Sequence, residues 1–231
     1  MKREIIITAD GSTTIHLPEW NEQYHSKHGA IQEAYHVFIK QGLHHFCHLD
    51  ALPEVAILEI GFGTGLNALI TVLEAKKLKV KMNYVGVEAY PVGIDEVLKL
   101  NYPKALNIDE SEALFKTLHS VNWEEEHIID SMFSLTKQKK FFEAIDDKET
   151  FNIIYFDAFG ARVQPDLWTE AIFKKMYDAL LIGGVLVTYS AKGSVRRAMQ
   201  HVGFKVEKLP GPPGKREMLR ATKHSAIPRD S

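Results

Sequence analysis

Short, continuous apolar runs alternate along most of the chain with segments whose apolar residues recur at helical spacing. Val55–Ile60, Met82–Glu88, Met132–Lys137, Phe151–Phe156 and Val185–Tyr189 are runs of strand length. Between them, Leu66–Ala75, a segment opened by Pro91, Asp109–His119 and Lys139–Asp146 read as helices. A further helix follows Pro165-Asp166, with Leu167, Ile172, Phe173, Met176 and Leu180 on one side and Gly183-Gly184 at its end. Strands that alternate with helices predict an α/β fold: a mostly parallel sheet covered on both faces.

The two ends of the chain depart from this rhythm. Glu4–Thr8 and Thr13–Leu17 alternate as strands around an Asp10-Gly11 turn, a β-hairpin pattern. A polar segment over 21–29 follows. Ala30–Leu43 then places Ile31, Ala34, Tyr35, Phe38 and Ile39 on one helical face. Residues 1–50 are thus expected to form a small N-terminal extension and residues 51–231 the α/β domain. At the other end a short helix, Val195–His201, precedes strands Phe204–Lys208 and Glu217–Ala221. The loop Gly211-Pro212-Pro213-Gly214 joins these as a C-terminal antiparallel hairpin.

Composition narrows the function class. The 231 residues carry a formal net charge of -2, which excludes a uniformly basic nucleic-acid coat. Charge is nevertheless uneven: Ser190–Ser231 holds ten Lys or Arg against three Asp or Glu, and the remainder holds 18 against 27. A polyanion would meet the C-terminal end first. A single cysteine, Cys47, excludes an intrachain disulfide framework. No apolar run approaches the roughly 18 residues of a membrane span. The N-terminus lacks a secretory pattern, so no membrane partner and a cytoplasmic location are expected. His44-His45-Phe46-Cys47-His48 does not offer separated ligand pairs for zinc, and no metal is expected.

Candidate chemistry collects at the ends of the predicted strands. Val55–Ile60 runs into Gly61-Phe62-Gly63-Thr64-Gly65, a glycine-rich turn that lets backbone approach a ligand before a helix begins. Glu88 ends the next strand, where a carboxylate can accept both ribose hydroxyls of an adenosine. This pair selects nucleoside binding, as S-adenosylmethionine or as a dinucleotide. Glu59, just before the turn, favours a ligand with an ammonium group and hence S-adenosylmethionine. Asp157 follows Phe151–Phe156 at the same sheet edge, placed to orient an amine and help it shed a proton. Phe159 or Trp168, in the loop that follows, is a candidate wall for a base, and Trp168 is equally a candidate helix anchor. Lys192, Arg196, Arg197, Lys215 and Arg216 all follow strands near this end and are candidate phosphate contacts.

Several segments together resemble one family. They are HGAIQEAYHVFI (28–39), EIGFGTGLNAL (59–69), VEAYP (87–91), YFDAFG (155–160), PDLW (165–168), GGVLVTYSAKGSVRR (183–197) and GPPGKREMLRA (211–221). In this order they are similar to the methyltransferases that complete 5-methylaminomethyl-2-thiouridine at the tRNA wobble position, the MnmC methyltransferase domain and its stand-alone form. The resemblance covers nearly the whole chain. It implies a class I S-adenosylmethionine-dependent methyltransferase, Rossmann-like, that methylates the amine of 5-aminomethyl-2-thiouridine in the tRNA anticodon loop. It implies that Gly61, Gly63 and Gly65, with Phe62, line the cofactor, that Glu88 holds its ribose, and that Asp157 is catalytic. Glu33 would face the substrate, with Lys215 and Arg216 at its entrance. The flavin-dependent oxidase of two-domain relatives has no counterpart here, so FAD is not expected and a separate enzyme must supply the aminomethyl substrate.

Two features stay open. No acidic residue stands just after Met132–Lys137 to meet the adenine amino group; Asp130 precedes that run and Asp146 lies well past it. Tyr24, His25 and His28 either line the substrate mouth or belong to a loop packed on the sheet. Competing functions are a methyltransferase for small amines or another nucleobase, a non-catalytic tRNA-binding protein, and a dehydrogenase.

Overall fold

The computed structural model describes residues 2–49 and 52–225. An eight-stranded sheet runs in the order β10 (Lys205–Pro210), β11 (Glu217–Thr222), β9 (Leu180–Thr188), β8 (Phe151–Phe156), β4 (Glu54–Ile60), β5 (Lys81–Val87), β7 (Phe133–Gln138), β6 (Glu126–Asp130). Its parallel centre consists of β4 (Glu54–Ile60), β5 (Lys81–Val87), β7 (Phe133–Gln138), β8 (Phe151–Phe156) and β9 (Leu180–Thr188). The hairpin of β10 (Lys205–Pro210) and β11 (Glu217–Thr222) adds antiparallel to β9. This is the mostly parallel α/β sheet expected from the strand–helix alternation, in the Rossmann-like class I arrangement that the family resemblance implies.

The faces of the sheet follow from side-chain alternation. On β4, Val55 and Ile57 join a core with α3 (Leu66–Leu78), whereas Leu58 and Ile60 join a second core with α7 (Glu170–Ala179) and α8 (Gly193–His201). α3 is buried almost all round, from Leu66 to Ala75, because the N-terminal helical segment covers its other side. That segment runs through α1 (Ala30–Ala34), a π-helical stretch Tyr35–His44 and α2 (His45–Leu49), longer than the predicted Ala30–Leu43. Phe38, Ile39 and Leu43 point into the same core as Ile57 and Tyr155. The extension therefore shares a core with the sheet. The expected domain boundary at 50/51 lies outside the described residues.

The extension begins with β1 (Glu4–Ile7) and β2 (Thr13–Leu17), antiparallel, and a short β3 (Glu22–Gln23). Asn101 ties it down: its Oδ1 accepts from the Thr13 N–H at 2.8 Å and the Thr13 hydroxyl at 3.0 Å, and its Nδ2 donates to Gly11 O at 2.9 Å. Replacing Asn101 with alanine strands the Thr13 donors. Urea unfolding is expected to show a loss of about 1–3 kcal/mol, with faster proteolysis before residue 29.

Several elements differ from the sequence reading. Pro91 does not open a helix; α4 (Ile94–Val97) starts after Gly93. α5 (Tyr102–Leu106) adds a turn before α6 (Ser111–Ser120). β6 (Glu126–Asp130) is an added edge strand, antiparallel to β7. Only Phe142–Ala144 of the expected helix at 139–146 is helical, as a 3₁₀ turn. Leu180 starts β9 instead of ending a helix, and Gly183, at φ +84°, sits inside that strand where its register with β8 shifts.

Candidate active site

Strand register brings three predicted site residues together. Ile60 on β4 is level with Val87 on β5 and with Phe156 on β8. The next residue of each strand is Gly61, Glu88 and Asp157, so all three leave the sheet side by side. The Asp157 N–H donates to Ile60 O at 2.9 Å, and the Gly61 and Phe62 N–H groups both donate to Val87 O at 3.0 Å. A cavity of about 1220 Å³ opens above them. It exceeds the space a typical small ligand occupies.

The glycine turn is shaped by backbone contact. Gly61 has φ +89°, and a Cβ there would lie 2.8 Å from the Asp157 carbonyl oxygen. Gly63, at φ +49°, faces the Tyr24 ring, which a Cβ would meet at 3.1 Å. Glu88 is anchored where it can still receive a ligand: its Oε2 accepts from the Gly63 N–H at 3.1 Å and its Oε1 from the Tyr90 N–H at 2.9 Å. Gly61, Phe62, Gly63 and Glu88 all line the cavity. A glycine turn that leaves room at the cavity wall, beside an anchored carboxylate, fits an adenosyl cofactor.

Beyond the Glu88 strand end, Tyr90 and Phe141 are exposed and meet edge-to-face with centroids 5.8 Å apart. Both line the cavity with Glu143. Glu143, on the 3₁₀ turn past the third parallel strand, is an acidic residue at the cavity wall, whereas Asp130 and Asp146 are not among the lining residues.

The opposite half of the cavity comes from segments far apart in sequence. Glu33 is buried; its Oε1 accepts from Lys215 Nζ at 2.7 Å and its Oε2 from the Ser26 N–H at 2.8 Å. Lys215 Nζ also sits 3.7 Å from the centre of the Tyr189 ring. Phe159 makes edge contacts with Tyr24 and Trp20, at centroid distances of 4.9 and 5.7 Å. Arg162 holds the following loop to the extension through Trp20 O, at 2.7 Å, and Glu22, at 2.9 Å. Glu33, Phe159, Lys192 and Lys215 line the cavity, as do Tyr24, His25 and His28.

Other candidate residues lie elsewhere. Trp168 does not wall the cavity: its Nε1 donates to Phe159 O at 2.8 Å and its ring packs edge-on against Phe156, Phe173 and Tyr189. It anchors the Phe159 loop from behind. Gly65, at φ +71°, caps α3 and faces the His119 ring, away from the cavity. Arg197 and Arg216 are exposed outside the cavity. Glu59 is not among the lining residues either, because alternation along β4 turns it to the Ile57 face, under α3. There it is buried at 1% exposure.

Burial sets the charge of this cluster. The Asp157 carboxyl, 7% exposed, is held well above the usual carboxylate range by burial and then by the charges of Glu33 and Glu59. Burial also raises Glu59, to about 8, against the opposing hydrogen bond from Asn67. His25 Nε2 lies 2.7 Å from the Thr64 hydroxyl and its Nδ1 3.9 Å from Asp157 Oδ2. Burial lowers His25 to about 4, so it is neutral at pH 7. A carboxyl raised in the folded state favours folding below its unfolded value and loses that contribution as pH rises through the folded value. Glu59→Gln is therefore expected to raise the melting temperature at pH 9 by several degrees and to change it little at pH 4. A thermal unfolding series across pH checks this.

Among the described residues, no group of three or more His, Cys, Asp or Glu side chains is placed to hold a metal ion. Among them, too, no helix is long and apolar enough to cross a membrane.

Comparison with known proteins places these features in a family context. Residues 115–224 match the family described as S-adenosyl-L-methionine-dependent methyltransferase. The chain is 29% identical over 227 residues to the "tRNA 5-methylaminomethyl-2-thiouridine biosynthesis bifunctional protein MnmC" of Polaromonas naphthalenivorans, with 92% of this chain and 34% of that protein covered. The protein of the same name from Paracidovorax citrulli is 30% identical over 225 residues, with 88% and 33% covered. The chain thus spans about a third of the length of these curated relatives. Among solved structures, MNMC2 from Aquifex aeolicus superposes with a TM-score of 0.79 at 24% identity, over 98% of this chain and 72% of that one. Spermidine synthase from Thermotoga maritima superposes with a TM-score of 0.58 at 15% identity, over 98% and 70%. At these identities the two structures show a shared fold.

Proposed function

We infer, for a chain that is a class I S-adenosyl-L-methionine-dependent methyltransferase homologous to the MnmC proteins, that it methylates the amine of 5-aminomethyl-2-thiouridine at the tRNA wobble position. The product is 5-methylaminomethyl-2-thiouridine. The observation that carries this reading is the union of an anchored ribose acid, Glu88, with a buried acid, Asp157, at adjacent strand ends of one large cavity.

When bound, S-adenosylmethionine supplies an electrophilic methyl group on a positively charged sulfur and leaves as the neutral thioether. Gly61, Phe62 and Gly63 would hold its amino-acid part, Glu88 its ribose, and Tyr90, Phe141 and Glu143 its adenine. The substrate amine arrives as an ammonium ion, which cannot act as a nucleophile. Asp157 would accept its proton, which frees the nitrogen lone pair to receive the methyl group that bound S-adenosylmethionine would supply. A carboxyl raised by burial suits this task because its affinity for a proton approaches that of the amine. His25 beside it is a poor proton acceptor because burial lowers its pKa to about 4, which leaves the task to Asp157.

The uridine enters between Phe159 and the Lys215–Glu33 pair. Lys192 at the rim and Arg197 and Arg216 beyond it meet phosphates of the anticodon loop. A loop base leaves its stack at modest cost. A separate enzyme supplies the aminomethyl group, and the reaction takes place in the cytoplasm. The main rival is a methyltransferase for small amines. Competition separates the two: tRNA bearing the aminomethyl group is expected to be methylated at micromolar concentration while the free aminomethyl nucleoside is not. Equal use of the free nucleoside would favour the rival.

A further inference from the structure

Asn67 occupies an unusual position at the start of α3. Its amide nitrogen donates to Glu59 Oε1 at 2.8 Å and to Asp157 Oδ2 at 2.9 Å, so both amide hydrogens are spent on carboxyl groups. Its Oδ1 is buried without a hydrogen-bond partner, as is Glu59 Oε2. The side chain is 2% exposed. One neutral amide thus clasps two buried acids, one facing the cavity and the other sealed beneath the helix.

Two carboxylates on one amide repel each other, and a single neutral clasp does not neutralise them. The surroundings add little relief. Asp157 is faced by Glu33 and Lys215 from the substrate side, by His25 from the extension, and by the uncharged hydroxyls of Tyr84, Tyr102 and Tyr189. Glu59 is faced by Tyr84, Tyr155 and, more remotely, Glu88. Among the described residues, the one cation near either acid, Lys215, is already paired with Glu33. The Tyr84 hydroxyl next to Glu59 also lacks a partner of ordinary geometry. A proton on Glu59 gives its Oε2 a donor to offer there.

We propose that Asn67 is a positioning residue for the proton-accepting step: it joins Glu59 and Asp157 into a pair that holds one proton, kept on Glu59, and leaves Asp157 ionised and turned to the cavity. Glu59 is then a neutral partner of the catalytic acid and not a ligand of the cofactor's ammonium group. When Asp157 takes the substrate's proton the pair becomes fully neutral, and no buried charge is left unpaired. The proposal rests on the reading of Asp157 as proton acceptor.

The test is a carboxyl ¹³C NMR titration of the whole protein labelled at Asp and Glu side chains, with Asp157→Asn and Glu59→Gln for assignment. In the wild type both signals are expected to show the same two steps, the mark of a coupled pair. Asn67→Ala removes the donor to Asp157 and is expected to raise its midpoint by roughly one pH unit or more. Glu59→Gln is expected to leave Asp157 with a single step. Independent titration of the two wild-type signals, or an Asp157 midpoint unmoved by Asn67→Ala, overturns the pairing. Where Asn67→Ala does not fold, Glu59→Gln decides: persistence of two steps at Asp157 overturns it. The acid limb of single-turnover methyl transfer should move upward in Asn67→Ala by the same amount, which simple loss of packing would not produce. No substrate enters the titration, so a coupled pair in a protein that transfers no methyl group contradicts the task given to Asp157 and not the pairing.

Discussion

Asp157→Asn is expected to slow a single methyl transfer by about 10²–10⁴-fold while the dissociation constant for S-adenosylmethionine changes little. Asparagine keeps the size of the side chain and can accept a hydrogen bond, but it cannot take the substrate's proton. The backbone of residue 157 is fixed by its hydrogen bond to Ile60 and by its contact with the Gly61 turn, so the turn survives the change. Rapid-quench measurements at saturating cofactor, with calorimetric binding alongside, check both halves. In the wild type the rate should fall as pH drops and Asp157 becomes protonated. The limb should lie above the ordinary carboxylate range because burial, then Glu33 and Glu59, raise this group. A variant with a near-normal rate would remove Asp157 from proton transfer.

Glu88→Ala is expected to weaken cofactor binding by about 10²-fold, through loss of charge-assisted hydrogen bonds to the ribose. The carboxylate is also where the Gly63 and Tyr90 N–H groups converge, so its removal loosens both the glycine turn and the Tyr90 segment. Glu88→Gln should fall between, because an amide can accept from one of these groups only. Calorimetric titration with S-adenosylmethionine measures this, and with S-adenosylhomocysteine it separates the ribose contact from any effect of the sulfonium charge. Unchanged affinity would place the ribose elsewhere.

The parallel strands were legible because each is an apolar run bounded by turn residues. That alone fixes the edge where Gly61, Glu88 and Asp157 emerge, since parallel strands end on the same side of the sheet. The direction of Glu59 was not legible. Both faces of β4 are buried, so the run has no polar alternation to show which side each residue takes, and proximity to the turn suggested a cofactor contact. Trp168 fits both a wall and an anchor by sequence; its partners Phe156 and Tyr189 come from neighbouring strands and settle it as an anchor. The Glu33–Lys215 pair joins residues 182 positions apart, beyond the reach of any local pattern. The edge strand Glu126–Asp130 carries no buried apolar run: Ile128 and Ile129 stand between Glu126, His127 and Asp130, and Ile128 is exposed. At 139–146, Phe142 and Ile145 are buried three residues apart and mimic a helix, while the chain between them makes only one tight turn.

Asn67 illustrates a further limit. Within Leu66–Leu78 it reads as one polar residue near a helix start, which is ordinary. Its meaning comes from Glu59 on β4 and Asp157 just past the end of β8, which register brings under the same amide.

The central claim is the identity of the acceptor, and transfer of a labelled methyl group from S-adenosylmethionine tests it most directly. The acceptors are tRNA carrying 5-aminomethyl-2-thiouridine at the wobble position and the same tRNA without the amine, with the products digested to nucleosides. Label is expected in 5-methylaminomethyl-2-thiouridine from the first and in no nucleoside from the second. Label in a different nucleoside, or equal labelling of both tRNAs, would contradict the account.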